Sequence, residues 1–360
     1  MGAQFEGGAL LLALSLTACG PAPLTSATYR VMDNTQPAVA VACDAERAAV
    51  VHPEGFRIVQ RSEDGVTTES EVTGPEFANA GGQGSTRLVG DRLVVAFGEK
   101  LQIYDLSALP EVVMGTVPAH ARSSFELDGH TLYAGDTMSG VIVYDIADVT
   151  APHRTDSTSV PGDPAFMRVH NGVLYALDDR LISVVALPLD DLHNTSPSTV
   201  DTGAVYSGPP DTRDHFTPFL IVGDYLYLNF VRYGILQEPA TPVAIDISNP
   251  ASLVVTQAHL EAPADSVAIL PMGSDGAGGI IGTTRGWQLS DVKARGNEPS
   301  IVGALDITLP ATPTQRTGWP QFDFDGLAGL YPNYGASELC YAGDTLLAST
   351  GGMLVVSRRR

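Results

Sequence analysis

Basic charge is what this chain has least of: 20 Lys and Arg stand against 41 Asp and Glu, a formal net charge of −21. Such a surface repels nucleic-acid phosphates, so no nucleic acid is expected as a partner. Charged residues of both signs amount to only 17% against 44% hydrophobic, which excludes a disordered polyelectrolyte and leaves ample apolar surface for a core. No long amphipathic helical period occurs, and the longest apolar stretch falls short of the ~20 residues that cross a bilayer. Signatures of catalysis are missing as well. There is no Gly-x-Ser-x-Gly elbow, phosphate-binding loop, His-Glu-x-x-His or Cys-x-x-Cys, and the 8 histidines are scattered singly. No cofactor and no catalytic residue is therefore expected from motif.

The leucine-rich stretch Ala9 to Ala18 has the length of a leader-peptide core, although Met1 to Gly8 carries Glu6 and no Lys or Arg. Cys19 follows at once, and Leu16-Thr17-Ala18-Cys19-Gly20 resembles the bacterial lipobox. That resemblance implies a leader over residues 1–18, cleavage before a diacylglyceryl Cys19, a Pro/Ala/Ser/Thr tether over 19–27 and a folded domain over 28–360. The expected address is the bacterial cell envelope, most simply the outer membrane, with the membrane reached through the lipid.

Along that domain one pattern recurs: an apolar run, a tight Gly/Asp/Asn turn, a second run, a gap, then a third run ending in an acidic residue. Leu88 to Ser107 is the sharpest copy, with Leu127 to Ala147 beside it, turning at Asp128-Gly129 and ending at Asp145-Ile146. Val169 to Pro188 turns at Asn171-Gly172, and Ile221 to Pro250 at Gly223-Asp224. Weaker copies surround Asp44, Asp275-Gly276 and Gly343-Asp344, making seven units. Alternating β-branched and aromatic residues around such turns are hairpin chemistry, because Gly and Asn tolerate the positive φ of primed turns. The spacing matches propeller blades, so the expected fold is all-β, a seven-bladed β-propeller of three to four strands per blade. Six or eight blades also fit, since the units at Asp44 and Asp275 are poorly marked. Asp105, Asp145, Asp246 and Asp306 close the third runs, where an Asx side chain capping its own turn explains the recurrence better than metal binding.

The endings Tyr104-Asp105-Leu106, Tyr144-Asp145-Ile146 and Ile245-Asp246-Ile247 resemble those of the LVIVD repeat of bacterial propeller proteins. The resemblance spans most of the domain. It implies the fold and an envelope location and assigns no chemistry.

A propeller must seal its last blade to its first, because an open strand edge leaves unpaired backbone groups. The last unit ends with a third strand at Val355 to Arg358, so Thr28 to Asp33 is expected to supply its fourth and close the ring. Cys43 and Cys340 stand at corresponding places in the first and last units. They are either a disulfide locking the ring, which would remove about 3 to 5 kcal/mol of unfolded-state freedom, or two buried thiols.

Strand alternation puts second-to-third and unit-to-unit connections at one end, where the long segments Gly74 to Ser85, Ser207 to Pro218, Arg232 to Thr241, Arg285 to Ser300 and Gly318 to Ala336 would mostly gather. The candidate binding face draws on Arg213, Asp214, His215 and Phe216, on Arg232 and Tyr233, on Trp287, and on Trp319, Phe322, Phe324, Tyr331 and Tyr334. Aromatics of this kind either anchor a partner or pack the loops against the ring. Asp323 and Asp325 join the face as acidic positions; without further oxygen ligands they are not expected to hold calcium. The expected protein is thus a monomeric tethered propeller presenting this face to a protein or glycan. The alternatives are a secreted hydrolase or lactonase-like enzyme with an axial metal, and a structural scaffold without small ligand.

Overall fold

The computed structural model describes residues 30–32, 40–44, 47–62, 65–80, 86–109, 111–119, 124–136, 139–160, 164–178, 183–190, 192, 197–201, 215–216, 219–228, 230–231, 243–257, 270–274, 279–283, 302–307, 309–312, 314–315, 336–342, 345–350 and 353–358. These residues form seven four-stranded antiparallel sheets and one two-stranded pair. Sheet 1 comprises Ala40–Cys43, Arg47–His52, Gly55–Ser62 and Gly65–Thr73. Sheet 2 holds Thr86–Val89, Arg92–Phe97, Lys100–Asp105 and Val113–Pro118, and sheet 3 Phe125–Asp128, Thr131–Asp136, Gly140–Asp145 and His153–Thr158. Sheet 4 runs Pro164–His170, Val173–Asp178, Ser183–Pro188 and Ser198–Asp201; sheet 5 runs Leu220–Val222, Tyr225–Leu228, Val243–Asp246 and Val254–Gln257. Sheet 6 holds Leu270–Ser274, Gly279–Thr283, Val302–Asp306 and Thr314–Gln315. Sheet 7 takes Ala336–Ala342, Thr345–Thr350 and Met353–Arg358 from one end of the chain and Arg30–Met32 from the other, with Arg30 opposite Val356.

The hairpin turns form where the sequence supplies left-handed backbone. Gly129 (φ 57°) and the pair Asn171 (φ 50°) and Gly172 (φ 74°) are the clearest. In sheet 3 the turn pair is Gly129-His130, since Asp128 still pairs with Thr131, one residue later than the sequence placed it.

The middle strands of sheets 2 and 4 are buried on both faces. Leu93, Val94 and Val95 are all inaccessible, as are Leu174 to Leu177, so these strands read as continuous apolar runs. The fourth strands of sheets 2 and 4, Val113–Pro118 and Ser198–Asp201, alternate or nearly so, as strands with one covered face do, whereas His153–Thr158 of sheet 3 does not. Each apolar cluster lies between two sheets. Phe56, Phe77, Leu93, Phe97 and Tyr104 fill the space between sheets 1 and 2, with the Phe56 and Tyr104 rings edge-on at 5.0 Å. Leu101, Phe125, Leu132 and Ile146 fill that between 2 and 3, and Tyr175, Val184, Leu226 and Ile245 that between 4 and 5. Each fully buried Leu, Ile or Phe contributes roughly 1.5–3 kcal/mol to holding neighbouring sheets together. Where sheet 2 meets sheet 3 the backbones come close enough that only glycine fits: a Cβ on Gly115 would lie 1.6 Å from the Val149 carbonyl oxygen.

The acidic endings are structural where they are described. Asp105, Asp145 and Asp246 each accept the backbone N–H two residues on, from Ser107, Ala147 and Ser248 at 2.8–2.9 Å. The next residue, Leu106, Ile146 or Ile247, drops into the core while its N–H bonds the carbonyl of Asp91, His130 or Asp224 in the hairpin turn of its own sheet. The recurring Asp-Leu/Ile thus turns the chain out of the third strand and pins that turn to the first hairpin.

First strands pack side by side in chain order. Ala40–Cys43 touches Thr86–Val89, which touches Phe125–Asp128, and so on through Pro164–His170, Leu220–Val222, Leu270–Ser274 and Ala336–Ala342, which touches Ala40–Cys43.

Candidate functional site

In every sheet the first strand runs toward its hairpin turn, so the first-to-second and third-to-fourth connections share one end, here the turn end. Second-to-third and sheet-to-sheet connections share the other, the loop end. The six longest separations between successive strands all belong to the loop end: 74–85 (between sheets 1 and 2), 202–219 (between sheets 4 and 5), 229–242 (within sheet 5), 258–269 (between 5 and 6), 284–301 (within sheet 6) and 316–335 (between 6 and 7). Two of them are tied together. His215–Phe216 pairs antiparallel with Phe230–Val231, His215 opposite Val231 and Phe216 opposite Phe230.

Arg213, Asp214, Arg232, Tyr233, Trp287, Trp319, Phe322, Asp323, Phe324, Asp325, Tyr331 and Tyr334 lie outside the described residues, as does Cys19. Of the long loop-end segments, the one between sheets 1 and 2 is described over residues 74–80. There a short 3-10 turn, Pro75–Asn79, inserts Phe77 into the core at 1% exposure, so this loop aromatic packs the frame.

Sequence reading missed a polar cluster on the first strands. Glu126 receives Arg87 Nε at 3.3 Å and Arg168 Nη1 at 2.9 Å on the same oxygen, Oε2. The Leu127 N–H donates to the other oxygen at 3.2 Å, and each arginine also donates to a backbone carbonyl of its own strand, Thr86 or Met167. Glu126 is 10% exposed and sits between guanidiniums from the sheets on either side. The three residues occupy one register position, two before the last paired residue of the first strands of sheets 2, 3 and 4. Aligning the units on their hairpin turns would have displayed Arg, Glu and Arg in one column. Chemically the carboxylate is engaged as an acceptor, and the cluster fastens three sheets to one another.

Several other polar groups are likewise spent on the frame, whereas both ring nitrogens of His52, Thr86 Oγ1 and Arg92 Nε are buried without a hydrogen-bond partner. Arg47 reaches from sheet 1 to the Gly90 carbonyl (2.6 Å) and Asp91 (3.1 Å) of sheet 2, and Arg92 joins Asp105 at 2.9 Å and the Ala147 carbonyl of sheet 3. Burial pushes Asp105 up, but the hydrogen bonds from Ser107 and the Arg92 guanidinium outweigh it and hold its carboxyl below the usual range. The Tyr104 hydroxyl, raised by burial, donates to Gln102 at 2.6 Å. His52, at the loop end of sheet 1, is 2% exposed; burial first, and then Arg57, lowers its pKa against the opposing pull of Glu71 and Glu54. Among the described residues no group of three His, Cys, Asp or Glu could hold a metal ion. Cys43 is disulfide-bonded, and its strand packs on Ala336–Ala342, which carries Cys340.

Four-stranded antiparallel sheets whose first strands pack in succession are also the frame of solved structures that this chain resembles. The β-propeller domain of Cps50 (Swd1) from Myceliophteria thermophila superposes with a TM-score of 0.61 at 13% identity, over 91% of this chain and 99% of that one. The chain is a β-propeller. Kuenenia stuttgartiensis hydrazine synthase gives a TM-score of 0.60 at 13% identity over 91% of this propeller and 97% of that chain. The WD40 domain of Toxoplasma gondii coronin gives 0.55 at 12% over 94% and 86%. At such identities the likeness is one of fold. No family model and no curated protein matches the chain.

Proposed function

We propose that this propeller is a lipid-anchored scaffold of the bacterial cell envelope, a seven-bladed ring whose loop end holds a protein or glycan partner. The observation that carries the binding role is directional: strand order assigns all six long connections to one end of the frame. Rigid frames that present long connections on one side are the usual architecture of recognition surfaces. The seven-bladed reading draws support from the seven sheets and from the circuit of first strands, in which Ala336–Ala342 returns to Ala40–Cys43. Closure by the N-terminal strand draws on the pairing of Arg30–Met32 with Met353–Arg358. Envelope location and the anchor rest on the lipobox at Cys19 and on the LVIVD-like endings, and a disulfide between Cys43 and Cys340 suits an oxidising compartment. The aromatic run from Trp319 to Tyr334 and the Arg213 to Phe216 segment supply anchors, and the charge of −21 disfavours nucleic acid.

Crosslinking in native envelopes tests the reading. The intact protein is expected to capture a defined partner that a variant lacking Trp319 to Tyr334 loses while remaining folded. Equal capture by both would reject the loop end as the binding surface.

A further inference from the structure

Successive sheets touch through their first strands, and on those strands sheets 2, 3 and 4 bring together Arg87, Glu126 and Arg168. A carboxylate lodged in the seam between sheets 2 and 3 could not also meet a guanidinium of sheet 4. Because one oxygen of Glu126 takes both arginines, the three side chains lie in front of their strands, on the inner side of the frame. Val41 and Leu220 hold the same register position in sheets 1 and 5, so Glu126 is the one acid among the described side chains of that row.

Two cations share one anion there, which leaves the cluster positive in a chain whose formal net charge is −21. The carboxylate is the best shielded of the three. Its side chain is 10% exposed against 16% for Arg87 and 29% for Arg168, its Oε2 is taken by both guanidiniums and its Oε1 by the Leu127 N–H. A solute that approaches the cluster therefore meets the guanidiniums before it meets Glu126. Arg87 is also held in place. Its Cζ stands 5.7 Å over the Phe125 ring, its Nε donates to Glu126 and its Nη1 to the Thr86 carbonyl, and among the described residues nothing is bonded to its Nη2. A guanidinium pinned by three contacts, with N–H donors to spare, loses little freedom when carboxylate or phosphate oxygens bond to it.

We propose that Arg87 and Arg168 form a binding site for a small oxyanion, a carboxylate or phosphate compound, on the inner side of sheets 2 to 4, with Glu126 setting the spacing of the two guanidiniums. The ligand class follows from the charge left over and from the planar fork of donors that each arginine presents. Glu126 supplies order and costs affinity, since its own charge lies behind the cations that receive the ligand. In the seven-bladed ring proposed above, this inner side is the axial passage. The site itself needs only sheets 2, 3 and 4, and it stands apart from the loop end and its partner surface.

The test titrates the full chain with inorganic phosphate and, separately, with citrate, by calorimetry at constant ionic strength in chloride. Saturable, stoichiometric binding is expected, and the tighter probe assigns the ligand class. R87Q and R168Q should each weaken it about tenfold or more, the worth of one hydrogen bond to a charged group. E126Q should act in the opposite sense, tightening binding about tenfold as the like charge is removed, while the urea midpoint falls. A cluster that only fastens sheets would lose stability in all three variants and gain affinity in none. R87K and R168K, which keep the charge and lose the fork, stand in for a glutamine variant that fails to fold, and the same loss is expected of them. No saturable binding of either probe to the native chain and to E126Q, or binding unchanged in both arginine variants, would overturn the site.

Discussion

Glu126 receives two guanidiniums on one oxygen at 10% exposure. Glu126→Ala would leave both cations half-buried without their shared acceptor. The expected cost is about 1–3 kcal/mol, the penalty for orphaning buried polar groups, measured as a lower urea midpoint at unchanged slope. The companion change Arg87→Ala in that background should cost less than it does alone, because the interaction it removes has already gone. His52 carries the opposite sign of charge logic. Its folded pKa lies below the ordinary 6.5, so the unfolded chain binds a proton more readily. Its contribution to stability is complete above that value and is lost as pH falls below it toward the folded pKa. Relative to His52→Gln, the native protein should lose stability from pH 7.5 to 5, by no more than ~1.4 kcal/mol per pH unit, the limit for one proton; parallel curves for the two proteins would clear His52 of any part.

At the scale of elements, the strand most open to question is the shortest one. Arg30–Met32 makes only three residue pairs with Met353–Arg358, yet without it that strand would present an open edge. Deleting Thr28 to Asp33 is expected to lower the melting temperature by at least ~5 °C and to promote association through the exposed edge, both visible in thermal scans at several protein concentrations. An undiminished melting temperature would remove the strand from the closure. The repeat unit itself was legible in the sequence. Asp-Leu/Ile after an apolar run marks the turn out of the third strand, because the Asx cap and the buried residue behind it are both local. The hairpin at Gly129-His130 lay one residue beyond its reading from sequence, since the ladder continues to Asp128 and pairing, rather than the position of the aspartate, sets where a hairpin turns.

For the molecule as a whole, the first and last sheets meet where Ala40–Cys43 packs on Ala336–Ala342. Cys43 is disulfide-bonded, and Cys340 lies on the adjoining strand Ala336–Ala342. Unreduced peptide mapping should return a Cys43 to Cys340 crosslink, and reduction should cost about 3–5 kcal/mol, since the bond closes a loop of most of the chain; free thiol at Cys340 would break the assignment. Sequence alone determined the all-β class, the repeat, the turns and the role of the acidic endings, because each depends on residues within one hairpin of one another. The tertiary structure decided which register positions meet across sheets, and so joined Arg87, Glu126 and Arg168, paired His215–Phe216 with Phe230–Val231, and set the direction of Arg30–Met32. These are contacts between residues about 15 to more than 300 positions apart in the chain. No local propensity encodes them; they exist only once separate sheets have packed.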